Sequence, residues 1–261
     1  MRGMSRNLID SFGRVHRDLR ISVTDRCNFR CRYCMPADGL EWLPREELLS
    51  FEEIERVARL MVERYGISSI RLTGGEPTVR ARLTTLVRML AVLPVDLSMT
   101  TNGATLKMVA DDLAAAGLRR INVSLDSLRR DRFLELTLRD ELTAVLDGID
   151  AAIGAGFDPV KVNVVVMRGV NDDELVEFAG FGRERGVIVR FIEFMPLDAD
   201  EAWSNNAVVT QSEIVSTIGE VFPLVCDVTD EEQVQDMVRQ VEERYGRIDV
   251  LFNNAGAMVL G

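Results

Sequence analysis

Leu19-Arg20-Ile21-Ser22-Val23-Thr24-Asp25-Arg26-Cys27 decides the fold, because it alternates apolar and polar side chains and then stops in a polar loop. A period of two marks a half-buried strand, so a strand is predicted over 19–23 with a cysteine-bearing loop at its end. Working outward, Ile54, Val57, Ala58, Met61, Val62 and Tyr65 recur at helical spacing and form one face of a helix over 51–65, with Ser50 as its N-cap. The rhythm then repeats. Strands are predicted over 69–72, 95–99, 120–125, 160–166 and 187–194, with helices over 82–93, 106–116, 142–155 and 173–184 between them, Pro94 stopping the second helix. Six strand-helix units imply a parallel sheet with right-handed crossovers. A functional site is then expected where the strands end. Cys27, Gly74-Gly75-Glu76, Thr100-Thr101-Asn102-Gly103, Ser124 and Met195-Pro196 all fall at or just past a predicted strand end, which gathers them on one rim.

The whole-chain properties narrow the function. With 261 residues, 47% hydrophobic and 28% charged, the chain is ample for an apolar core and too apolar for disorder. A formal charge of -11 argues against non-specific binding to nucleic acid or to an anionic membrane, and any anionic ligand needs a local basic pocket. Residues 1–20 hold no apolar run of the signal-peptide kind, and nowhere is there a span of ~20 apolar residues, so a cytoplasmic protein is expected. The single histidine, His16, leaves no material for a histidine-based nucleophilic relay, and no catalytic acid or base stands out.

Three of the four cysteines lie in Cys27-Asn28-Phe29-Arg30-Cys31-Arg32-Tyr33-Cys34, a C-x3-C-x2-C spacing that lets three thiolates converge from one loop. An iron-sulfur cubane normally takes four cysteines, so three would leave one iron open to a ligand. Zinc would need a fourth nitrogen or sulfur ligand, and His16 and Cys226 are the remaining candidates, neither at a chelating spacing. Buried free thiols are a third reading, set against the flanking Arg26, Asn28, Arg30 and Arg32, which are wrong for a core.

The cysteine spacing with aromatic Tyr33 before the last cysteine resembles the radical S-adenosylmethionine (radical SAM) superfamily. Asp18 through Cys31, Arg71-Leu-Thr-Gly-Gly-Glu-Pro, Arg119-Arg-Ile-Asn-Val-Ser-Leu-Asp, Lys161-Val-Asn-Val-Val and Arg190-Phe-Ile-Glu-Phe-Met resemble more narrowly the GTP 3',8-cyclase family of molybdenum-cofactor biosynthesis, over about 12–222. The resemblance implies a partial (β/α)6 TIM-type barrel of the radical SAM superfamily, in which a 4Fe-4S cluster with an open iron reduces S-adenosylmethionine to release a 5'-deoxyadenosyl radical that abstracts hydrogen from GTP. Cys27, Cys31 and Cys34 would hold the cluster, Tyr33, Gly75, Ser124 and Met195 would contact S-adenosylmethionine, and Arg20, Arg71, Thr100 and Lys161 would face GTP. A protein or small reductant would supply the electron.

Past Phe222 this resemblance ends, and the second cluster of the cyclases has no cysteines here to hold it. Two readings follow: a cyclase impaired in GTP turnover, or a barrel that binds only cluster and S-adenosylmethionine. Cys226-Asp-Val-Thr-Asp-Glu-Glu-Gln-Val through Ile248-Asp-Val-Leu-Phe-Asn-Asn-Ala-Gly instead resembles the middle of a short-chain dehydrogenase, without that family's phosphate loop or catalytic tyrosine and lysine. The expected organisation is a barrel over 1–222 and a C-terminal βαβ fragment of Rossmann type over 223–261. An apolar stripe of Met237, Val238 and Val241 marks the fragment's helix, and apolar surface left open on the barrel predicts self-association.

Overall fold

Six short segments whose alternate residues are apolar pair into one all-parallel sheet in a computed structural model that describes residues 7–34, 41–195, 203–219 and 231–245. After a small antiparallel hairpin, β1 (Leu8–Ile9) and β2 (Val15–His16), come β3 (Asp18–Ser22), β4 (Ser69–Thr73), β5 (Asp96–Thr101), β6 (Arg120–Ser124), β7 (Val160–Val166) and β8 (Ile188–Glu193). The strands lie in the order of the chain from β3 to β8, and these two form the edges of an open, partial barrel. Its crossovers carry α1 (Phe51–Tyr65), α2 (Leu83–Ala91), α3 (Ala110–Ala115), α4 (Arg130–Thr137), α5 (Leu142–Gly154) and α6 (Leu175–Arg185), and α7 (Gln211–Ile218) follows β8. The helix start expected at Ser50 is found there. Ser50 with Glu53 and Thr210 with Glu213 form reciprocal capping boxes that satisfy otherwise unpaired helix N–H groups.

Alternation along β7 separates the two faces of the sheet. Val160, Val162, Val164 and Val166 are buried, whereas Lys161, Asn163 and Val165 between them are only half-buried. Register carries the second face across the sheet, since Arg20 pairs with Arg71, Arg71 with Ser98, Thr100 with Asn122, Asn122 with Lys161 and Asn163 with Arg190. Parallel sheets usually bury both faces in apolar side chains. Here one face packs on the helices through residues such as Ile70, Leu72, Leu97, Ile121 and Val162, and the other is polar and basic.

The structure departs from the sequence expectations at several places. The strand expected over 95–99 runs on to Thr101, so Thr100 lies within β5 rather than in the loop after it. The helix expected over 106–116 is broken into a 3-10 turn, Leu106–Met108, and the short α3. α2 closes at Ala91, before Pro94, and α6 begins at Leu175 after a 3-10 turn at Asp172–Glu174. Before the first predicted strand, the chain forms the β1–β2 hairpin, for which no strand was predicted. α4 was not expected at all, because Arg130, Asp131, Arg132 and Glu135 mask the helical spacing of buried Phe133, Leu136 and Thr137. In the C-terminal stretch α8 (Glu231–Tyr245) is the expected helix, with Met237 and Val238 half-buried. The strands expected on either side of it, with Cys226, lie outside the described residues, as does Pro196.

Two glycines join the strand ends. The Gly75 N–H donates to Thr24 O at 2.7 Å and the Glu76 N–H to Arg26 O at 2.8 Å, continuing the β3–β4 ladder into the two loops. Gly74 has φ 151°, and a Cβ on Gly75 would stand 2.3 Å from Arg26 O. Replacing Gly75 with alanine therefore requires backbone to move. Chemical denaturation of Gly75→Ala should show a loss of about 1–3 kcal/mol, as for other overpacked sites. Gly180→Ala, where nothing lies within 4 Å, should show none.

Candidate cluster and cofactor site

The cysteine loop is anchored from both sides before any sulfur is considered. On one side it rests against Gly74-Gly75 as described, and on the other it docks on α4. The Arg30 and Arg32 N–H groups donate to Thr137 O and Leu136 O, each at 3.0 Å, and the Phe29 ring meets Phe133 edge-on at 5.8 Å. Arg139 adds a bond from Nε to Asn28 O at 3.0 Å. Cys27 and Cys31 are half-buried and Cys34 is exposed, all three as free thiols. Burial pushes all three thiols up, with Asp126 the next cause at Cys31 and Cys34 and a close backbone N–H from Phe29 partly opposing it at Cys27. The unloaded loop is thus protonated, and loading with metal must release protons.

The donor set fits a cluster better than a single ion. A closed zinc shell needs a fourth nitrogen or sulfur ligand, and the loop supplies three thiols. His16 sits apart on β2, 3.4 Å from Asp10. A cubane spreads its thiolates over different irons. Three thiols on one loop can supply three of those irons and leave the fourth open.

Around the loop, buried carboxylates and amides fix the rim. Asp126, just past β6, accepts the Tyr33 hydroxyl through Oδ2 and the Val165 N–H through Oδ1 at 2.8 Å. Burial raises its carboxyl to about 6 despite those two bonds, and burial with Asp126 alongside raises the Tyr33 phenol. Asn171 donates to the Asp126 and Val165 carbonyls, each at 2.8 Å, and buried Glu174 accepts from Ser127, the Leu128 N–H and Arg132. Tyr33 joins a small apolar cluster with Leu136, Met167, Phe194, Val165 and Trp203. Glu76, 1% exposed, is filled by Thr101 Oγ1 at 2.6 Å, Thr78 N at 3.0 Å and Asn102 N at 2.6 Å, binding the β4 and β5 loops together.

The polar face of the sheet supplies the second half of the site. Burial, then Arg120, Arg190 and Arg71, depress the Lys161 ammonium to about 8. Burial and Arg71 likewise lower Arg120 and Arg190. Nε of Arg71, Nε of Arg190 and Oδ1 of Asn163 are buried without a hydrogen-bond partner. Such atoms are costly unless something polar answers them. Four cations meeting in a chain of charge -11 form the local basic pocket that an anion requires.

Of the residues singled out in the sequence, Cys27, Cys31, Cys34 and Tyr33 share the loop, and Arg71, Thr100, Ser124 and Lys161 share the polar face. Arg20 lies beside Arg71 on the exposed edge strand, and Met195 lies just past β8, 47% exposed. What Gly75 approaches is the Asp25–Arg26 backbone. Arg120, Arg190 and Asp126 were missed as site residues, and Asn102 was placed on the rim without a role. For the two arginines the signal was the two-residue parity that links 120 with 122 and 124, and 190 with 188 and 192.

These features define a radical SAM protein. The family model of the radical SAM superfamily matches residues 21–182, more than half the chain, and the chain belongs to that superfamily, whose members use a 4Fe-4S cluster and S-adenosylmethionine. A short chain dehydrogenase model matches residues 200–261. A GTP 3',8-cyclase of Rhodopirellula baltica is 51% identical over 217 residues, 82% of this chain and 60% of that one. One of Corynebacterium glutamicum is 47% identical over 226 residues, 84% of this chain and again 60% of the relative. The chain thus spans about 60% of the length of these relatives. Among solved structures, Streptococcus suis SuiB bound to its precursor peptide SuiA superposes with a TM-score of 0.63 at 15% identity, covering 91% of this chain and 49% of SuiB. The protein anSMEcpe with bound AdoMet gives 0.62 at 17% identity, covering 89% and 60%. At these identities the likeness is one of fold. No helix among the described residues is long and apolar enough to cross a membrane.

The depressed Lys161 gives a pH dependence of known sign. Its ammonium is charged below about 8 and neutral above, so an anion on this face loses one partner as pH rises through that value. Inorganic tripolyphosphate, titrated calorimetrically between pH 6.5 and 9.5, should bind several-fold more weakly at the alkaline end. In Lys161→Met the affinity should be lower and this step absent.

Proposed function

We propose that the chain carries the first-cluster barrel of a GTP 3',8-cyclase acting in molybdenum-cofactor biosynthesis. Cys27, Cys31 and Cys34 hold one 4Fe-4S cluster, and Tyr33, Gly75, Ser124 and Met195 surround S-adenosylmethionine at the same rim. When bound, the reduced cluster supplies the electron that cleaves S-adenosylmethionine and starts radical chemistry. Arg20, Arg71, Thr100 and Lys161 bind GTP, joined by Arg190. The observation that carries this reading is the basic face with two unanswered arginine nitrogens, opening on the rim that bears the three cysteines.

Each group has a definite task. Arg71, Lys161 and Arg190 neutralise the triphosphate, and its charge relieves their mutual repulsion. Tyr33 is held by Asp126 beside the Leu136, Met167 and Phe194 cluster, and its ring offers an apolar surface on which a nucleoside base can pack. The Leu136, Met167 and Phe194 cluster excludes water from that side. We assign the chain to the cytoplasm, with a protein or small reductant delivering the electron, and place the division between barrel and C-terminal fragment near 222, past the radical SAM match at 21–182 and inside the short chain dehydrogenase match at 200–261.

A second reading is a barrel that binds cluster and S-adenosylmethionine without cyclising GTP. The short chain dehydrogenase match over residues 200–261 favours it. Anaerobic reconstitution with iron and sulfide, then reduction with S-adenosylmethionine and GTP, separates the two by mass spectrometry. Both 5'-deoxyadenosine and a cyclised nucleotide are expected. Formation of 5'-deoxyadenosine alone selects the second reading, and neither product overturns both.

A further inference from the structure

Asn102 lies just past β5 and is held by its neighbours in one orientation. Its backbone N–H donates to Oε2 of buried Glu76 at 2.6 Å, and its side-chain oxygen accepts the Ala104 N–H at 3.1 Å. The second bond decides which way the amide faces, since the oxygen is turned into its own loop. The nitrogen therefore faces the cysteine loop, 2.7 Å from Asn28 Oδ1 and 3.9 Å from Cys27 Sγ. A side-chain amide nitrogen carries two hydrogens, one for each of these acceptors. Asn28 turns its oxygen to this place, where it also accepts from the Cys27 thiol at 4.0 Å, and among the described residues the other donor to the sulfur is the Phe29 N–H at 3.4 Å.

We infer that Asn102 is a positioning residue for the cluster's electronics: its amide donates to the Cys27 sulfur and raises the reduction potential of the cluster that Cys27 binds. This inference rests on the reading of Cys27, Cys31 and Cys34 as cluster ligands. Reduction adds an electron to a centre that already carries anionic sulfur, and an N–H aimed at that sulfur stabilises the more negative state. Glu76 works in the opposite sense, since its charge disfavours anionic sulfur at Cys27. The same carboxylate that holds the loop in place thus has its cost to reduction offset by the amide it positions. A turn-capping role alone would need only the bond from Ala104 and would leave the potential unchanged.

The test uses the full chain with its cluster reconstituted anaerobically and titrated with dithionite, followed by electron paramagnetic resonance without S-adenosylmethionine. Asn102→Ser keeps a small polar residue but cannot reach Cys27. Its midpoint should move negative, with the reduced-to-oxidised ratio at a fixed potential falling by roughly tenfold, about 59 mV for one electron. Asn102→Asp, which adds charge as well as removing the donor, should move further the same way. Unchanged midpoints in both variants overturn the inference. Independently of any variant, protein labelled with 15N in asparagine side chains should show a nitrogen coupling to the reduced cluster in pulsed measurements, and its absence overturns the inference even where a variant fails to hold iron. A chain that forms no cluster overturns the cysteine reading together with this one, whereas a cluster of unaltered potential overturns this one alone.

Discussion

Backbone lying directly on backbone at Gly74-Gly75 is the constraint on which the rest of the site depends. Side chains at these positions would hold the β4 loop away from Thr24–Arg26, and the two hydrogen bonds that extend the β3–β4 ladder past the sheet would be lost. With the loops joined, Glu76 falls into a buried position where Thr101, Thr78 and Asn102 all donate to it. That carboxylate fastens a third loop to the first two, and Asn102 then reaches back to the cysteine loop. The far side of the loop is set by α4, through Phe133 and the carbonyls of Leu136 and Thr137. A loop clamped along its length loses less entropy when it takes up a rigid cluster than a free one would.

Charge is distributed against the average of the chain. The overall charge is -11, yet the polar face of the sheet gathers Arg71, Arg120, Lys161 and Arg190 closely enough for their fields to depress Lys161. Among the described residues, Arg120 alone of these four forms an ion pair, with Asp96 on the same face. Repulsion and unanswered donors make this face costly to the empty protein. They are the features expected where a ligand supplies the missing countercharge, since proteins break local rules mainly at functional sites.

Most of the fold was legible because the six strands announce themselves by alternation and the helices by a wider apolar period. β7 reads in full, from Val160 to Val166, since its four valines face the helices without interruption. Boundaries failed where the turn chemistry is not periodic. β5 runs two residues further than expected because Thr100 and Thr101 still pair with β6. α4 escaped because its buried face is only Phe133, Leu136 and Thr137 among four charged residues. The cysteines and the glycine pair were readable as motifs, but the roles of Asp126 and Asn102 were not. Their partners, Tyr33 and Cys27, lie 93 and 75 positions away in the chain, and only folding brings them together.

The central claim is that three cysteines on this loop hold a 4Fe-4S cluster with one iron left open. Mössbauer spectroscopy of the chain reconstituted with 57Fe, before and after adding S-adenosylmethionine, tests it most directly. A cubane signature in which one iron alone changes its parameters on addition is the predicted result. A mononuclear site, or a cluster whose irons all ignore S-adenosylmethionine, would contradict it.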